Sequence, residues 1–349
     1  MRLTARIVAG IAAAAVIGGG IAGWAVSDDG SGAGSVSAHI ATVEGGSQSP
    51  AARPQPKTSP VGPLIEVTGA PRAVKAKGAV LADAYTGQVL WGRGLNTERP
   101  MASVTKVMTA LVVLDSGHLD QEIRVPQAAF NYAWKYGGET AGLHPGDVLT
   151  AQELLEALLL PSGADAAYTL ANAYGPGLNA FIARMNATAA RMGLTHTHFT
   201  SPDGLPYPTE TSTYSTPSDL LALGRAAMRF PVFRSIVDQQ FFHLPKGPGH
   251  HQYWWDNTNE LIGSYPGAVG IKDGYTDDAG HCLLFEAVRN GRALIGVVLD
   301  SPAIGLAAAA QDAAQMLNWG FSLKQARAAA PTASVSWAWW SWRRAPRSA

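Results

Sequence analysis

Cysteine is all but absent from this chain. Cys282 is the only one among 349 residues, which excludes an intramolecular disulfide. It lies in the apolar run His281-Cys282-Leu283-Leu284-Phe285, the setting of a buried structural thiol rather than a reactive one. An excess of charge of either sign is also missing. Lys plus Arg (26) balance Asp plus Glu (26), so there is no overall electrostatic footprint for nucleic acid and no such partner is expected. Charged residues make up 15% and hydrophobic residues 47% of the chain, a composition that supports a sizeable core rather than a disordered polymer. No internal repeat is visible. Nine histidines include His196-Thr197-His198 and His250-His251, but no His-Glu-x-x-His or comparable zinc spacing is present. Neither a functional metal nor a cofactor is expected.

The long uncharged run is confined to the N-terminus. Arg2 and Arg6 precede 20 uncharged residues from Ile7 to Val26, with Asp28 and Asp29 beyond. Basic residues, an apolar stretch and then small residues form the secretory pattern. The run is long for a signal peptide and close to the length of a membrane span, yet rich in Ala and Gly. Residues 1–27 therefore read as a signal peptide cleaved after Ser27 or as an uncleaved membrane anchor. Both place the remainder outside the cytoplasmic membrane. Residues 28–66, rich in Ser, Gly, Ala and Pro without a hydrophobic period, read as a disordered linker. The folded domain is expected over 67–325, its order beginning between Val67 and Gly78. Residues 326–349 form a tail in which Trp337, Trp339, Trp340 and Trp342 sit beside Arg343 and Arg344. Such a tail suits a membrane surface or a loosely docked terminus.

Within the domain, Gly78–Asp83 and Gln88–Trp91 read as a hairpin around Tyr85-Thr86-Gly87. Thr150-Ala151-Gln152-Glu153 is a capping-box pattern opening a helix that Pro161 closes. Further helices fit Ala164–Tyr174, Leu178–Met192 and the stretch after Thr216-Pro217, with a last one over Ala307–Trp319. Asn290-Gly291 between two apolar runs predicts a late hairpin. Helices in the middle with strands early and late imply one antiparallel sheet, shared by the two hairpins, with helices packed on it.

Chemistry enters at Ser103-Val104-Thr105-Lys106, which opens the apolar run ending at Gly117. Three residues apart on a helix, Ser103 and Lys106 share a face. A lysine amine there can take the serine proton and make the hydroxyl a nucleophile, helped by burial and nearby positive charge. The same four residues also suit an N-cap followed by a solvated lysine. Two later segments add weight: Ser162-Gly163-Ala164 in a turn between helices, and Lys272-Asp273-Gly274-Tyr275-Thr276 before the late hairpin. A Ser-x-x-Lys helix, then a Ser-x-Asn turn, then a Lys-Thr-Gly strand is the arrangement of penicillin-recognising serine enzymes.

From these segments, and from Ala82–Gly87, Ala141–Asp147, Ser201–Leu205, Tyr214–Thr216 and Asn257–Asn259, the chain resembles the serine-type D-Ala-D-Ala carboxypeptidases. These are the low-molecular-mass penicillin-binding proteins of peptidase family S11. The resemblance implies an α/β (α+β) penicillin-binding protein/β-lactamase-like transpeptidase fold, with an antiparallel sheet flanked by a helical subdomain and the site between them. A C-terminal β-domain carried by some members is expected to be absent. The resemblance also implies roles: Ser103 as nucleophile, Lys106 as general base and Ser162 as proton relay. Lys272, Gly274, Tyr275 and Thr276 would bind substrate, with the backbone N–H groups of Ser103 and Tyr275 as the oxyanion hole. Peptidoglycan stem peptides are the implied substrate and β-lactams the implied covalent inhibitors.

Two positions depart from the pattern. Ala164 stands where the family has asparagine, and so offers no amide to substrate or to Lys106. Asp273 stands where the family has threonine or serine, and an ionised carboxylate there repels a substrate carboxylate. Thr276 is the candidate substitute hydroxyl. Two function classes follow: a carboxypeptidase with reduced or altered activity, or a catalytically impaired homologue that binds peptidoglycan in the envelope. A β-lactamase needs a positioned water and base for fast deacylation, and none is identifiable. Asp203, Asn257 and Asn259 are expected to hold loops, and the aromatic residues Tyr132, Trp134 and Tyr136 to lie between helices near the site.

Overall fold

In the computed structural model, residues 69–302 and 307–323 are described. The expected signal or anchor, the whole of the linker and the tryptophan-rich tail lie outside these residues. Among the described residues no helix is long and apolar enough to cross a membrane.

The chain opens with β1 (Gly78–Asp83), β2 (Val89–Arg93) and β3 (Arg99–Pro100), followed by a 3₁₀ turn at Ala102–Thr105 that runs into α1 (Lys106–Ser116). Next come β4 (Glu122–Arg124), α2 (Gln127–Tyr136), β5 (Val148–Thr150), α3 (Ala151–Leu159), α4 (Ala164–Tyr174) and α5 (Leu178–Met192). They are followed by β6 (Tyr214–Ser215), α6 (Pro217–Ala227), α7 (Pro231–Val237), β7 (Phe241–Leu244) and β8 (Tyr253–Asp256). The described chain closes with β9 (Ala268–Thr276), β10 (Gly280–Arg289), β11 (Arg292–Ser301) and α8 (Ala308–Ser322).

Early and late strands share one antiparallel sheet in the order β2-β1-β11-β10-β9. β1 lies on β11 with Gly78 opposite Leu299 and Asp83 opposite Leu294. Asn290 (φ 51°) and Gly291 (φ 75°) take the two left-handed positions of the β10–β11 turn, as a two-residue hairpin requires. Both faces of the sheet are buried. Val80, Ala82, Leu284, Ile295 and Val297 join the core under α1–α7. Their neighbours Leu81, Leu283, Phe285, Leu294 and Val298 join a second core under α8. The strict alternation is the two-residue period of a strand with each face apolar.

Local chemistry sets the helix ends. The Thr150 side chain accepts from Glu153 N–H while the Glu153 carboxylate accepts from Thr150 N–H, a completed capping box. Thr216 caps α6, with Pro217 in its first turn, and Gly117 and Gly193 close α1 and α5 in left-handed conformation. The stretch with Tyr132, Trp134 and Tyr136 is itself a helix, α2, bounded by Pro126 and Gly137. Only Ala129 and Ala133 of it are buried, so it carries no apolar stripe to betray it.

Candidate active site

Ser103 lies in the 3₁₀ turn between β3 and α1, not at an N-cap: neither start carries a side-chain capping bond. The solvated-lysine reading of Lys106 fails as well, because Lys106 is 2% exposed. Its Nζ is 2.8 Å from Ser103 Oγ and 3.1 Å from the main-chain carbonyl oxygen of Asp203, and donates to both. That carbonyl is fixed from two sides. Thr109, one turn further along α1, donates to the Pro202 carbonyl, and Ser201 Oγ accepts from Gly204 N–H. Gly204, at φ 86°, packs so closely that a Cβ there would meet the Ala102 carbonyl oxygen at 1.9 Å. Only glycine fits such a position.

Burial pushes the Lys106 amine down to about 8, and the Lys272 cation adds to the lowering, against the opposing carboxylates of Asp203, Asp273 and Asp165. An amine lowered this far supplies neutral base near physiological pH. Once deprotonated, its nitrogen accepts the Ser103 hydroxyl proton across the same 2.8 Å. The missing asparagine at 164 therefore leaves Lys106 with a partner, the Asp203 carbonyl. Ala164 packs near Gly138, and its N–H donates to the Glu139 carbonyl. Asp165 turns away from the site and accepts from the N–H groups of Ala141, Leu143 and Ala166. Ser162 is buried in the turn between α3 and α4 at φ 66°, a backbone conformation unusual for a residue with a side chain. No hydrogen bond joins its hydroxyl to Ser103 or Lys106 among the described contacts.

The third segment lies on β9, an edge strand of the sheet. Gly274 carries the strand against the nucleophile: a Cβ there would sit 2.6 Å from Ser103 N. Lys272 is fully buried, and its Nζ donates to Asp273 Oδ1 at 2.6 Å and to Thr258 Oγ1 at 3.2 Å. Thr258 donates to Asp273 Oδ1 at 2.7 Å, and its N–H donates to the Leu160 carbonyl at 3.0 Å. Thr258 thus ties the segment before Ser162 to the Lys272–Asp273 pair. Desolvation opposes ionisation of Asp273, but the Lys272 cation and the bonds from Lys272 and Thr258 outweigh it and hold the carboxyl below its ordinary range. Tyr275 is half-exposed with its hydroxyl on Asp277, and Thr276 Oγ1 accepts from Ala279 N–H.

Sequence reasoning missed two contributors: the Asp203 carbonyl and the Thr258 hydroxyl. Asp203 does hold its loop, its carboxylate accepting from Tyr132 O–H and Leu205 N–H. Asn257 and Asn259 hold theirs. Tyr132 points inward, Tyr136 packs on Tyr207, and Trp134 stays exposed. Cys282 is buried as expected, with burial pushing its thiol up to about 12. Away from the site, His144, Asp147 and His251 come together within 4.8 Å. Asp147 there accepts from His251 N–H and Tyr253 O–H.

Residues 65–303 match the S11 peptidase family, described as D-alanyl-D-alanine carboxypeptidase. The chain belongs to that family. It is 37% identical over 262 residues to the D-alanyl-D-alanine carboxypeptidase of Streptomyces sp. strain K15, covering 72% of this chain and 88% of the relative. It is 39% identical over 265 residues to D-alanyl-D-alanine carboxypeptidase DacB2 of Mycobacterium tuberculosis, covering 73% and 84%. Among solved structures, the Streptomyces K15 DD-transpeptidase superposes with a TM-score of 0.69 at 36% identity, over 73% of this chain and all of that one. A D-alanyl-D-alanine carboxypeptidase from Mycobacterium tuberculosis H37Rv gives 0.66 at 37% identity, over 76% and 97%. The fold is the α/β fold of these DD-peptidases and penicillin-binding proteins, and the protein is a serine hydrolase of the carboxypeptidase class.

Proposed function

We propose that this protein removes the terminal D-alanine from peptidoglycan stem peptides outside the cytoplasmic membrane. Residues 1–27 would serve as its export signal or anchor. The contact between the buried Lys106 amine and Ser103 Oγ, 2.8 Å, carries the reading. Ser103 Oγ attacks the carbonyl carbon of the D-Ala-D-Ala bond while Lys106 Nζ takes its proton. Charge then develops on the carbonyl oxygen, facing the backbone N–H groups of Ser103 and Tyr275. Two fixed donors of this kind are commonly worth about 3–4 kcal/mol each. The C–N bond breaks, the leaving nitrogen collects the proton by way of Ser162, and D-alanine departs. Water then cleaves the acyl ester, its proton passing through Lys106 to Ser103 Oγ, so that Ser103 is restored as a hydroxyl and Lys106 ends neutral as it began. A β-lactam enters by the same attack and leaves slowly.

Ala164 and Asp273 motivated the alternative of an impaired binding homologue. The intact Lys106–Ser103 contact and the kinship with D-alanyl-D-alanine carboxypeptidases favour the enzyme. Release of D-alanine from an N-acylated peptide ending in D-Ala-D-Ala tests this. The full chain releases it and Ser103→Ala does not. Equal release by the variant, or none by the folded wild type, overturns the reading.

A further inference from the structure

The Lys272 ammonium is spent inside the protein. It is wholly buried, and Asp273 Oδ1 lies 2.6 Å away with Thr258 donating to the same oxygen. Asp273 is the only anion within ion-pairing distance of Lys272 among the described residues. The two partners are not equally hidden: the Lys272 side chain is 0% exposed and that of Asp273 is 33% exposed. Of this charged pair, the member a substrate can meet is therefore the carboxylate, and the ammonium behind it is already matched. Asp273 immediately precedes Gly274, whose backbone lies against the Ser103 amide. A leaving residue held along β9 beside Ser103 thus passes Asp273. A free carboxylate on that residue meets like charge, while an amide, an ester or a continuing peptide chain does not.

We infer that the site opens D-Ala–X bonds whose leaving residue carries no free carboxylate, and favours them over a free C-terminal D-alanine, with Asp273 as the residue that sets the preference. This rests on the hydrolase reading above and deepens it. The chemistry is unchanged. The Ser103 Oγ–acyl bond forms, the acyl–nitrogen bond breaks, and the leaving nitrogen takes the proton that Lys106 removed from Ser103. Only the group next to the leaving nitrogen differs. The substrate class that follows is peptides in which the carboxyl group beside the leaving nitrogen is masked as an amide, an ester or a further peptide bond. The side chain of Asp273 also has a neutral isostere, so its charge can be removed without changing its shape.

The test is a matched pair of peptides, one ending in D-Ala-D-Ala with a free carboxylate and the other the same peptide as its C-terminal amide. kcat/KM is measured for both, at a pH above the Lys106 value of about 8 so that the charge state of the base is not in play, with the full chain, Asp273→Asn and Asp273→Thr. Wild type is expected to favour the amide by about tenfold, the scale of one like-charge contact in a partly solvated site. Added salt narrows the gap. Both variants raise turnover of the carboxylate peptide by about tenfold and move the amide less than threefold, a split that a merely structural role for Asp273 does not produce. The inference is overturned if wild type prefers the carboxylate peptide, or if both peptides slow or quicken together in the variants. The wild-type ratio decides even if a variant fails to fold. Turnover of neither peptide by folded wild type overturns the hydrolase reading along with the inference, whereas turnover of the carboxylate peptide alone overturns only the inference.

Discussion

Replacing Gly274 by alanine adds one methyl group at the place where sheet and helices meet the chemistry. The new Cβ would lie 2.6 Å from Ser103 N and 3.1 Å from both Ala102 Cβ and Val104 N. Ordinary contact begins near 3.4 Å, so strand and turn must part by about 0.8 Å. Two of the three neighbours are backbone atoms and the third is an alanine Cβ, so no side-chain rotation relieves the clash. The 3₁₀ turn is pinned from behind by Gly204, against the Ala102 carbonyl. Among the described strands, β9 is an edge strand bonded to β10 alone, so it is the strand that moves, carrying Lys272 and Tyr275 away from Ser103. A displacement approaching 1 Å between reacting groups costs about 10²-fold in rate. Overpacking of this kind costs about 1–3 kcal/mol in stability, a fall of several degrees in Tm. The assay is the second-order rate of acylation by a fluorescent penicillin, with thermal unfolding in parallel. Acylation within threefold of wild type by a folded Gly274→Ala protein would refute the claim that β9 is set against Ser103.

Three further outcomes are expected. Lys106 must be neutral to act, and its amine is lowered to about 8. Acylation should therefore rise about tenfold per pH unit below that value and level off above it. Asp273→Thr should move this limb to lower pH, since it removes a carboxylate that pulls the Lys106 value up; a pH–rate profile without a limb near 8 contradicts the base assignment. Burial raises Glu156 to about 7, with an opposing bond from Gln239. The folded state thus binds its proton more tightly than the unfolded chain, and stability is lost as pH climbs from the ordinary Glu range through 7. Glu156→Gln should accordingly stabilise by up to about 3 kcal/mol at pH 8 and little at pH 4, read from denaturant midpoints at the two values. Cys282, with its thiol raised to about 12, should resist iodoacetamide in the folded protein and react on unfolding, followed by intact mass.

The elements legible in the sequence were those whose chemistry is local. The Asn290-Gly291 turn, the Thr150–Glu153 box and the Thr216-Pro217 start each act over two to four adjacent residues, and each formed as read. The apolar runs of β10 and β11 were legible as strands, but their burial on both faces emerges only in the fold, where the two cores draw on alternate residues of the same strands. α2 escaped because its faces are largely solvated and only two alanines mark its inner side. Within the site, Ser103 and Lys106 were legible because one turn of chain brings them together. The second partner of Lys106 was not: it is a main-chain oxygen 97 residues away, and a carbonyl leaves no trace in the residue type that carries it. The same holds for Thr258, an unremarkable threonine until the fold sets it between Leu160 and Asp273. Asp273 was legible as a departure. Its engagement with Lys272 depended on how completely Lys272 is buried, which follows from packing rather than from the segment itself.

The account stands on Ser103 being a working nucleophile despite Ala164 and Asp273. The most direct measurement is the intact mass of the full chain after incubation with a labelled penicillin, alongside Ser103→Ala and Lys106→Ala. The account predicts one adduct per wild-type chain and none on Ser103→Ala. It also predicts acylation of Lys106→Ala slowed by about 10²-fold or more. A folded wild-type chain that takes no label, or an adduct that survives Ser103→Ala, would contradict it.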